Sequence, residues 1–397
     1  MKFLVIDTGI GFEHAHRLHQ DGNEVYYYIN WQKPFPKFED AIVGMGFGPN
    51  KVLTFGNLIE KVDWIVFTDV GYGDFADFLR RKEYQVFGGG AMEKMELDRA
   101  WSQKAMRKYG IPYPDTKIVN NINDLRDYLK KSRTGKKVVK ISIFRGDLET
   151  FIYDGQADTD IQILQIEAKL GPFKDSFQFS VEDFQEGTEI GVDTWMRPDG
   201  TFAVPYFVTL ESGMNGSTVG RWVEKCPYWH DILVKCGQIA SNFDYYGPLR
   251  LEGFLDPGGA VKVTDWTIRP PYPGSMIFLD VLKDYGKLIS SGAKKVEISA
   301  SEYCACGNYF SDYGEDRWNV IHLSKFSPPR FRRAVISDHV FYSIPGSDLI
   351  ATVTAADSKP EGALKKAGKM LGKIEVNGGY YDSDLAKSFP NLSVIQK

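Results

Sequence analysis

Cysteine is scarce. The 397 residues contain four, Cys226, Cys236, Cys304 and Cys306, which is too few for a disulfide framework at this size and suits a reducing compartment. Histidine is also rare, with six residues. Cys304-Ala305-Cys306 has no second Cys or His cluster at a spacing that would complete four zinc ligands. Charge of one sign is missing too. The 48 basic and 52 acidic residues leave a formal net charge of -4, so whole-chain electrostatics does not steer the molecule toward nucleic acid. No apolar run approaches the roughly 20 residues of a membrane-spanning helix. The opening MKFLVIDTGIG meets Asp7 and two glycines before any cleavage-like region, as a first strand does and a signal peptide does not. There is no tandem repeat or low-complexity segment. These absences predict a soluble, cytoplasmic protein, monomeric or homodimeric, with no membrane partner.

What is present is core-forming material. Hydrophobic residues make up 43% of the chain, enough for two or three packed domains. The first third alternates strand and helix signals: strands at 2–6, 24–29, 63–68 and 84–87, with helices at 12–20 and 74–81. That alternation predicts a parallel sheet covered on both faces, with a ligand crevice beyond the strands' C-terminal ends. A helical run over 93–109 stops at Gly110-Ile111-Pro112. Another helix is expected over 124–131, with Asn123 as its N-cap. From Val181 the pattern becomes antiparallel, with Pro198-Asp199-Gly200 as a turn. A long helix is predicted over 222–240, a hairpin over 247–266 and a helix over 362–375. The expected divisions are 1–90 (an α/β substrate-side domain), 91–114 (a helical connector), 115–185 (a small α/β subdomain), 186–325 (a central domain carrying a metal site) and 326–397 (a C-terminal α/β domain).

The hairpin carries the most chemistry. Adjacent antiparallel strands can bring Glu252 and Asp265 together on one surface, and magnesium commonly takes one or two carboxylates plus substrate phosphates. Asp265, Thr267 and Arg269 alternate along one strand, so metal ligand, hydroxyl and cation share a face. The competing reading is an ordinary polar strand face. Lys140, after Val138-Val139, points a cation into a crevice or snorkels to solvent. Phe144-Arg145-Gly146-Asp147 is a candidate phosphate loop with Arg145 as its cation, although one glycine makes a weak nest. The acidic stretch 181–189, with Phe184 as its aromatic, suits an adenosine hinge or a solvated turn. Arg221 is a candidate carboxylate or phosphate anchor, or else a surface partner of Glu224. Glu13 and His14 are placed near the substrate at the first helix N-terminus. The basic run Ser327-Pro-Pro-Arg-Phe-Arg-Arg333 reads as a solvated loop or a short phosphate-backbone contact.

Taken in order, these pieces resemble the ATP-grasp superfamily, and within it the phosphoribosylamine-glycine ligase family. Gly9-Ile-Gly-Phe-Glu-His-Ala15 resembles that family's glycine turn, with Phe12 in the place of arginine. Met95-Glu-Leu-Asp-Arg-Ala-Trp101 before Gly110-Ile-Pro112 resembles its connecting helix, with Arg99 where a phosphate-binding lysine is usual. The resemblance gives Lys140 the second nucleotide lysine, Glu182 an adenine-proximal role and Glu189 the ribose. Asp265-Trp-Thr-Ile-Arg269 resembles Glu-x-Asn-x-Arg, Glu252 falls at the other metal carboxylate, and Thr267 replaces an asparagine. Gly378-Gly-Tyr-Tyr-Asp-Ser-Asp384 resembles the closing Tyr-Arg-x-Asp segment.

The resemblance therefore implies an α/β and α+β ATP-grasp fold with an N-terminal parallel-sheet domain. ATP and magnesium are the implied cofactors, with manganese as a substitute. The implied activity is a carboxylate-amine ligase working through an acyl phosphate, similar to a purine-biosynthesis enzyme, with Arg269 and Arg221 as catalytic cations. Departures fall on the substrate side: the Gly-Pro-Glu-x-Pro-Leu pattern reduces to Thr68-Asp-Val-Gly-Tyr-Gly73, and Gly88-Gly-Gly90 replaces Gly-Pro-Ser. An amino acid or peptide acceptor is a second expectation. An ATP-binding pseudoenzyme or interaction module is a third.

Overall fold

The computed structural model of the chain describes residues 1–29, 38–132, 135–141, 150–155, 157–212, 216–226, 228–299, 302–324 and 328–396. Five parallel strands open the fold, in the order Asn50–Lys51, Glu24–Ile29, Lys2–Asp7, Trp64–Phe67, Val86–Phe87. Phe3 and Val5 pack into one hydrophobic cluster, Leu4 and Ile6 into another on the opposite face, which is why the strand reads as an unbroken apolar run. Chain order reverses beside Lys2–Asp7, so the loops after Asp7 and Phe67 flank a crevice. The helices Phe12–Gln20 and Gly73–Arg81 stand where the periodicity places them.

The run expected as one helix over 93–109 is broken at Asp98, into Lys94–Leu97 and Arg99–Tyr109. The Asp98 side chain accepts from the Trp101 N–H and caps the second helix. Gly110 ends it in the left-handed conformation, at φ 66°. Residues 116–183 then form a four-stranded antiparallel sheet in the order Thr116–Val119, Phe179–Asp183, Lys137–Ile141, Thr150–Tyr153. Its hydrophobic cluster, built on Ile122, Leu125, Val139 and Phe179, is separate from the main core. Asn121, not Asn123, caps the helix Ile122–Lys131 by accepting from the Asp124 N–H.

A nine-stranded sheet forms the body. Its first five strands run Val261–Thr267, Gly247–Leu255, Thr188–Met196, Tyr206–Glu211 and Thr218–Val223. Tyr303–Ser311, Leu349–Asp357 and Arg330–Phe331 continue it, and Gly379–Tyr381 adds to the strand Tyr303–Ser311. A single sheet therefore runs through the division expected at 325/326. The segment Thr218–Val223 corrects the helix expected over 222–240: its β-branched and aromatic residues pair between two strands, and the helix is confined to His230–Ala240. No helix among the described residues is long and apolar enough to cross a membrane.

Candidate active site

Strand register decides which side chains meet. Glu252 lies directly opposite Asp265 on one side and Gly191 on the other, and Arg250 lies opposite Thr267 and Asp193. Alternation then puts Glu189 and Glu211 on this same face. The face floors a cavity of about 220 Å³, lined also by Glu96, Arg99, Arg269 and Tyr272. Arg99 and Asp265 also border a smaller cavity of about 20 Å³ beside Tyr113, Thr116 and Glu182.

Asp265 is held by two cations. Arg99 donates to Oδ1 at 2.6 Å and Lys140 to Oδ2 at 2.7 Å. Burial opposes ionisation, but the charges of Arg99 and Lys140 outweigh it and bring the Asp265 carboxyl down to about 2. Lys140 is itself buried. It donates to the Thr264 carbonyl at 2.9 Å and pairs with Glu182 at 3.2 Å. Burial works against its ammonium, and Asp265 and Glu182 prevail, so its pKa is raised. Glu182 is raised by burial despite Lys140. Burial and the nearby Glu252 charge push Glu189 up to about 7. The strand Lys137–Ile141 thus reaches across from the small sheet and plugs its cation into the large one.

Glu252 accepts from Arg250 Nε at 2.6 Å through Oε1. Among the described residues its other oxygen has no protein partner. Thr267 lines the cavity beside it. The donor set of two carboxylates and a hydroxyl on one face is the hard oxygen chemistry magnesium takes, with phosphate and water filling its remaining positions. Glu252 fits that role directly. Asp265 can contribute only when Lys140 and Arg99 are drawn off it. No three acidic, imidazole or thiol groups among the described residues converge to hold an ion unaided.

Arg269 donates to Glu96 at 2.9 Å and lies 3.3 Å from Asp69, at the junction with the parallel sheet. Phe184 is half exposed in the strand connection, with the Lys136 ammonium 5.6 Å from its ring centroid. Arg145 lies outside the described residues. Arg221 is a correction. It sits opposite Val208, one step out of phase with the cleft residues, so its side chain emerges on the other face of the sheet. There it pairs with Glu302 at 2.5 Å and lies over the Tyr303 ring. Glu13 and His14 do not line the cleft cavity. Glu13 binds Arg330 and the Phe331 N–H, and His14 contacts the Tyr285 hydroxyl. Within the basic run near 330, Arg330 pairs with Glu13 and Asp280 and Arg333 with Asp40, while Arg332 lies over the Tyr272 ring with a buried Nη1 that has no hydrogen-bond partner among the described residues.

No family model matches the chain. Solved structures do. A phosphoribosylamine-glycine ligase from Thermotoga maritima superposes with a TM-score of 0.72 at 18% identity, over 97% of this chain and 100% of that one. The chain has the ATP-grasp fold. The N5-carboxyaminoimidazole ribonucleotide synthetase of Thermotoga maritima shares the ATP-grasp architecture at a TM-score of 0.64 and 15% identity, over 95% and 99% of the two chains. So does the biotin carboxylase domain dimer of Hydrogenobacter thermophilus 2-oxoglutarate carboxylase, solved with MgADP, ADP and bicarbonate. There the TM-score is 0.67 and the identity 13%, over 100% of this chain and 94% of that one.

Sequence reading missed Arg250, Glu211, Asp193, Glu96 and Asp69. Arg250 was within reach, because it stands two residues before Glu252 and must share its face. Glu96 and Asp69 carried no local signal, since only packing of the helix Lys94–Leu97 and the loop after Phe67 brings them to Arg269.

Proposed function

We propose that the chain is an ATP- and magnesium-dependent ligase that joins a carboxylate to an amine. The observation that carries this reading is the convergence of Lys140, Arg99, Glu252, Asp265, Thr267 and Arg269, from three separate stretches of sequence, on one cleft of an ATP-grasp fold. Lys140 and Arg99 are the phosphate-binding cations. Glu182, Phe184 and Glu189 serve the adenosine end, and Arg145 belongs to the expected phosphate loop. Glu252 and Asp265, more weakly Thr267, hold the metal. Magnesium, or manganese in its place, would neutralise charge on the phosphates. The substrate carboxylate oxygen attacks the γ-phosphorus and ADP leaves. The amine nitrogen then attacks the acyl carbon, phosphate leaves, and the nitrogen gives up a proton. Arg269, at the junction with the crevice of the parallel sheet, stabilises the transferring charge.

The two-cation clamp on Asp265 fits this chemistry as an exchange. Triphosphate is the stronger acceptor, and drawing Lys140 and Arg99 onto it frees the carboxylate for the metal. The same clamp favours a second reading, an ATP-binding module without turnover in which Asp265 stays neutralised. Magnesium-dependent ADP release across a panel of small carboxylates and amines distinguishes them. Substrate-dependent turnover that falls at least about 100-fold in Glu252→Gln or Asp265→Asn is expected. Unchanged turnover in those variants overturns the metal assignment. Tight ATP binding with no product for any pair supports the second reading. The buried free thiols of Cys226, Cys236, Cys304 and Cys306 suit a cytoplasmic setting, as a monomer or homodimer.

A further inference from the structure

The helix Arg99–Tyr109 has two working faces. Arg99, Ser102, Gln103 and Met106, at helical spacing, line the cavity of about 20 Å³ against Asp265 and Trp266. Trp266 Nε1 donates to the Met106 sulfur at 3.5 Å, which ties this face to the metal strand. The opposite stripe is Trp101, Lys104, Ala105, Lys108 and Tyr109. It lines a second cavity, of about 270 Å³, and none of it borders the nucleotide cleft. Ile239, near the end of the helix His230–Ala240, and Phe243 beyond it form the facing wall. Trp101 meets Phe243 edge to face at 5.8 Å, and Asn242 Nδ2 donates to the Tyr109 hydroxyl at 3.0 Å. The aromatic walls are thus held in place, and the proposed reaction uses none of them.

Lys104 and Lys108 stand exposed at the rim, four residues apart. Like charges at this spacing on a helix repel, and an anion between them relieves the repulsion. Aromatic walls under two cations are complementary to a flat apolar ring that carries one negative group, and a cavity of this volume limits the occupant to a small molecule. We propose that this cavity binds a small aromatic carboxylate, its ring against Trp101 and Phe243 and its carboxylate on Lys104 and Lys108, and that filling it weakens ADP binding in the cleft. The connection is short. Asp98 caps the helix on the Trp101 N–H, so Trp101 shares the first turn with Arg99, which donates to Asp265 at 2.6 Å. A ring packed on Trp101 fixes that turn where Arg99 holds Asp265 and opposes the transfer of Arg99 to phosphate. Binding in the cavity stands by itself. Its effect on ADP rests on the nucleotide reading above.

Titration of the full chain with 4-fluorophenylacetate, followed by its fluorine resonance, tests both parts. The wild type is expected to bind one equivalent with a dissociation constant below about 1 mM. The double variant Lys104→Glu/Lys108→Glu is expected to bind at least about tenfold more weakly. Both lysines are exposed, so this variant should fold and bind ADP as the wild type does when the probe is absent. At a probe concentration that fills only the wild type, ADP affinity is expected to fall at least about fivefold in the wild type and to stay unchanged in the variant. No saturable binding, or equal binding to both chains, overturns the site. Unaltered ADP affinity in the filled wild type overturns the coupling. A wild type that binds no ADP without the probe strikes the nucleotide reading and the coupling with it, while the titration still decides the site.

Discussion

Asp265 has a cation on each oxygen, while Glu189, Asp193 and Glu211 crowd the same face and are pushed the other way. Burial and neighbouring carboxylates lift these three to about 7, about 7 and about 8. A raised carboxyl keeps its proton in the folded chain after the unfolded chain has lost it. Stability should therefore fall as pH rises from about 4, where unfolded carboxyls ionise, through about 7 to 8. Asp265 contributes oppositely: its stabilisation is present above about 4 and is lost only as pH falls toward about 2. Urea midpoints between pH 5 and 9 should decline, and the decline should flatten with saturating Mg²⁺ and ADP. Calorimetry in buffers of different ionisation enthalpy should show proton release on that binding at pH 7. A midpoint rising over this range would refute the assignment. Glu252 and Asp265 were legible as a facing pair because hairpin pairing is local. Arg99 and Lys140 were named through the resemblance as phosphate-binding cations, but their clamp on Asp265 was not legible, because they come from elements 166 and 125 residues away from it.

At the scale of the element, the hairpin carries an irregularity that shapes the site. Glu252 pairs with Asp265 but Gly253 pairs with Val263, so Thr264 is an extra residue on its strand. That bulge leaves the Thr264 carbonyl to receive Lys140. Gly253 permits it, since a Cβ there would lie 2.4 Å from the Lys262 carbonyl oxygen. Gly253→Ala is expected to destabilise the protein by about 2 kcal/mol and to weaken magnesium-dependent ADP binding by displacing Thr264 and Asp265. Denaturation and ADP titration check this together, and an unchanged hairpin would show up as no effect on either. Strand-and-turn signals located the hairpin closely because the turn Asp256 to Gly259 is self-contained, closed by the Gly259 N–H on the Asp256 carbonyl. The end of the strand Thr218–Val223, from Trp222 on, was read as helix for the converse reason: its partners lie in other elements, and Arg221 follows the face they impose.

Across the whole molecule, the C-terminal stretch closes back onto the first helix. Glu13 is buried and binds Arg330 at 3.0 Å and the Phe331 N–H at 2.9 Å. Burial raises its carboxyl, and His16, Arg330 and the Phe331 N–H together bring it below its ordinary value. Glu13→Ala leaves Arg330 with Asp280 as its carboxylate partner among the described residues and the Phe331 amide without its Glu13 acceptor, and should cost about 3 kcal/mol in urea unfolding. ADP affinity should stay within about twofold, because Glu13's hydrogen-bond partners among the described residues, His16, Arg330 and Phe331, do not line the cleft cavity. A large loss of ADP affinity with little loss of stability would place Glu13 at the site after all. The division expected at 325/326 has no counterpart in the sheet, because strands from either side of it pair. Tyr303–Ser311 pairs with Thr218–Val223 on one edge and with Leu349–Asp357 on the other, joining segments that sequence can only list in order.

Local periodicity and turn chemistry determined the alternating strands and helices of the N-terminal parallel sheet and the hairpin with its two carboxylates, because those signals lie within each segment, whereas the small sheet became antiparallel only through the pairing of Thr116–Val119 and Lys137–Ile141 with Phe179–Asp183. Register and packing between distant strands decided the rest. They put Arg250 into its carboxylate pocket, set Lys140 and Arg99 on Asp265, carried Arg221 to the far face and ran one sheet through the C-terminal third. The physical reason is that a strand's alternation fixes two faces without saying which is buried. Only the partner strand, often a hundred residues away, settles that choice.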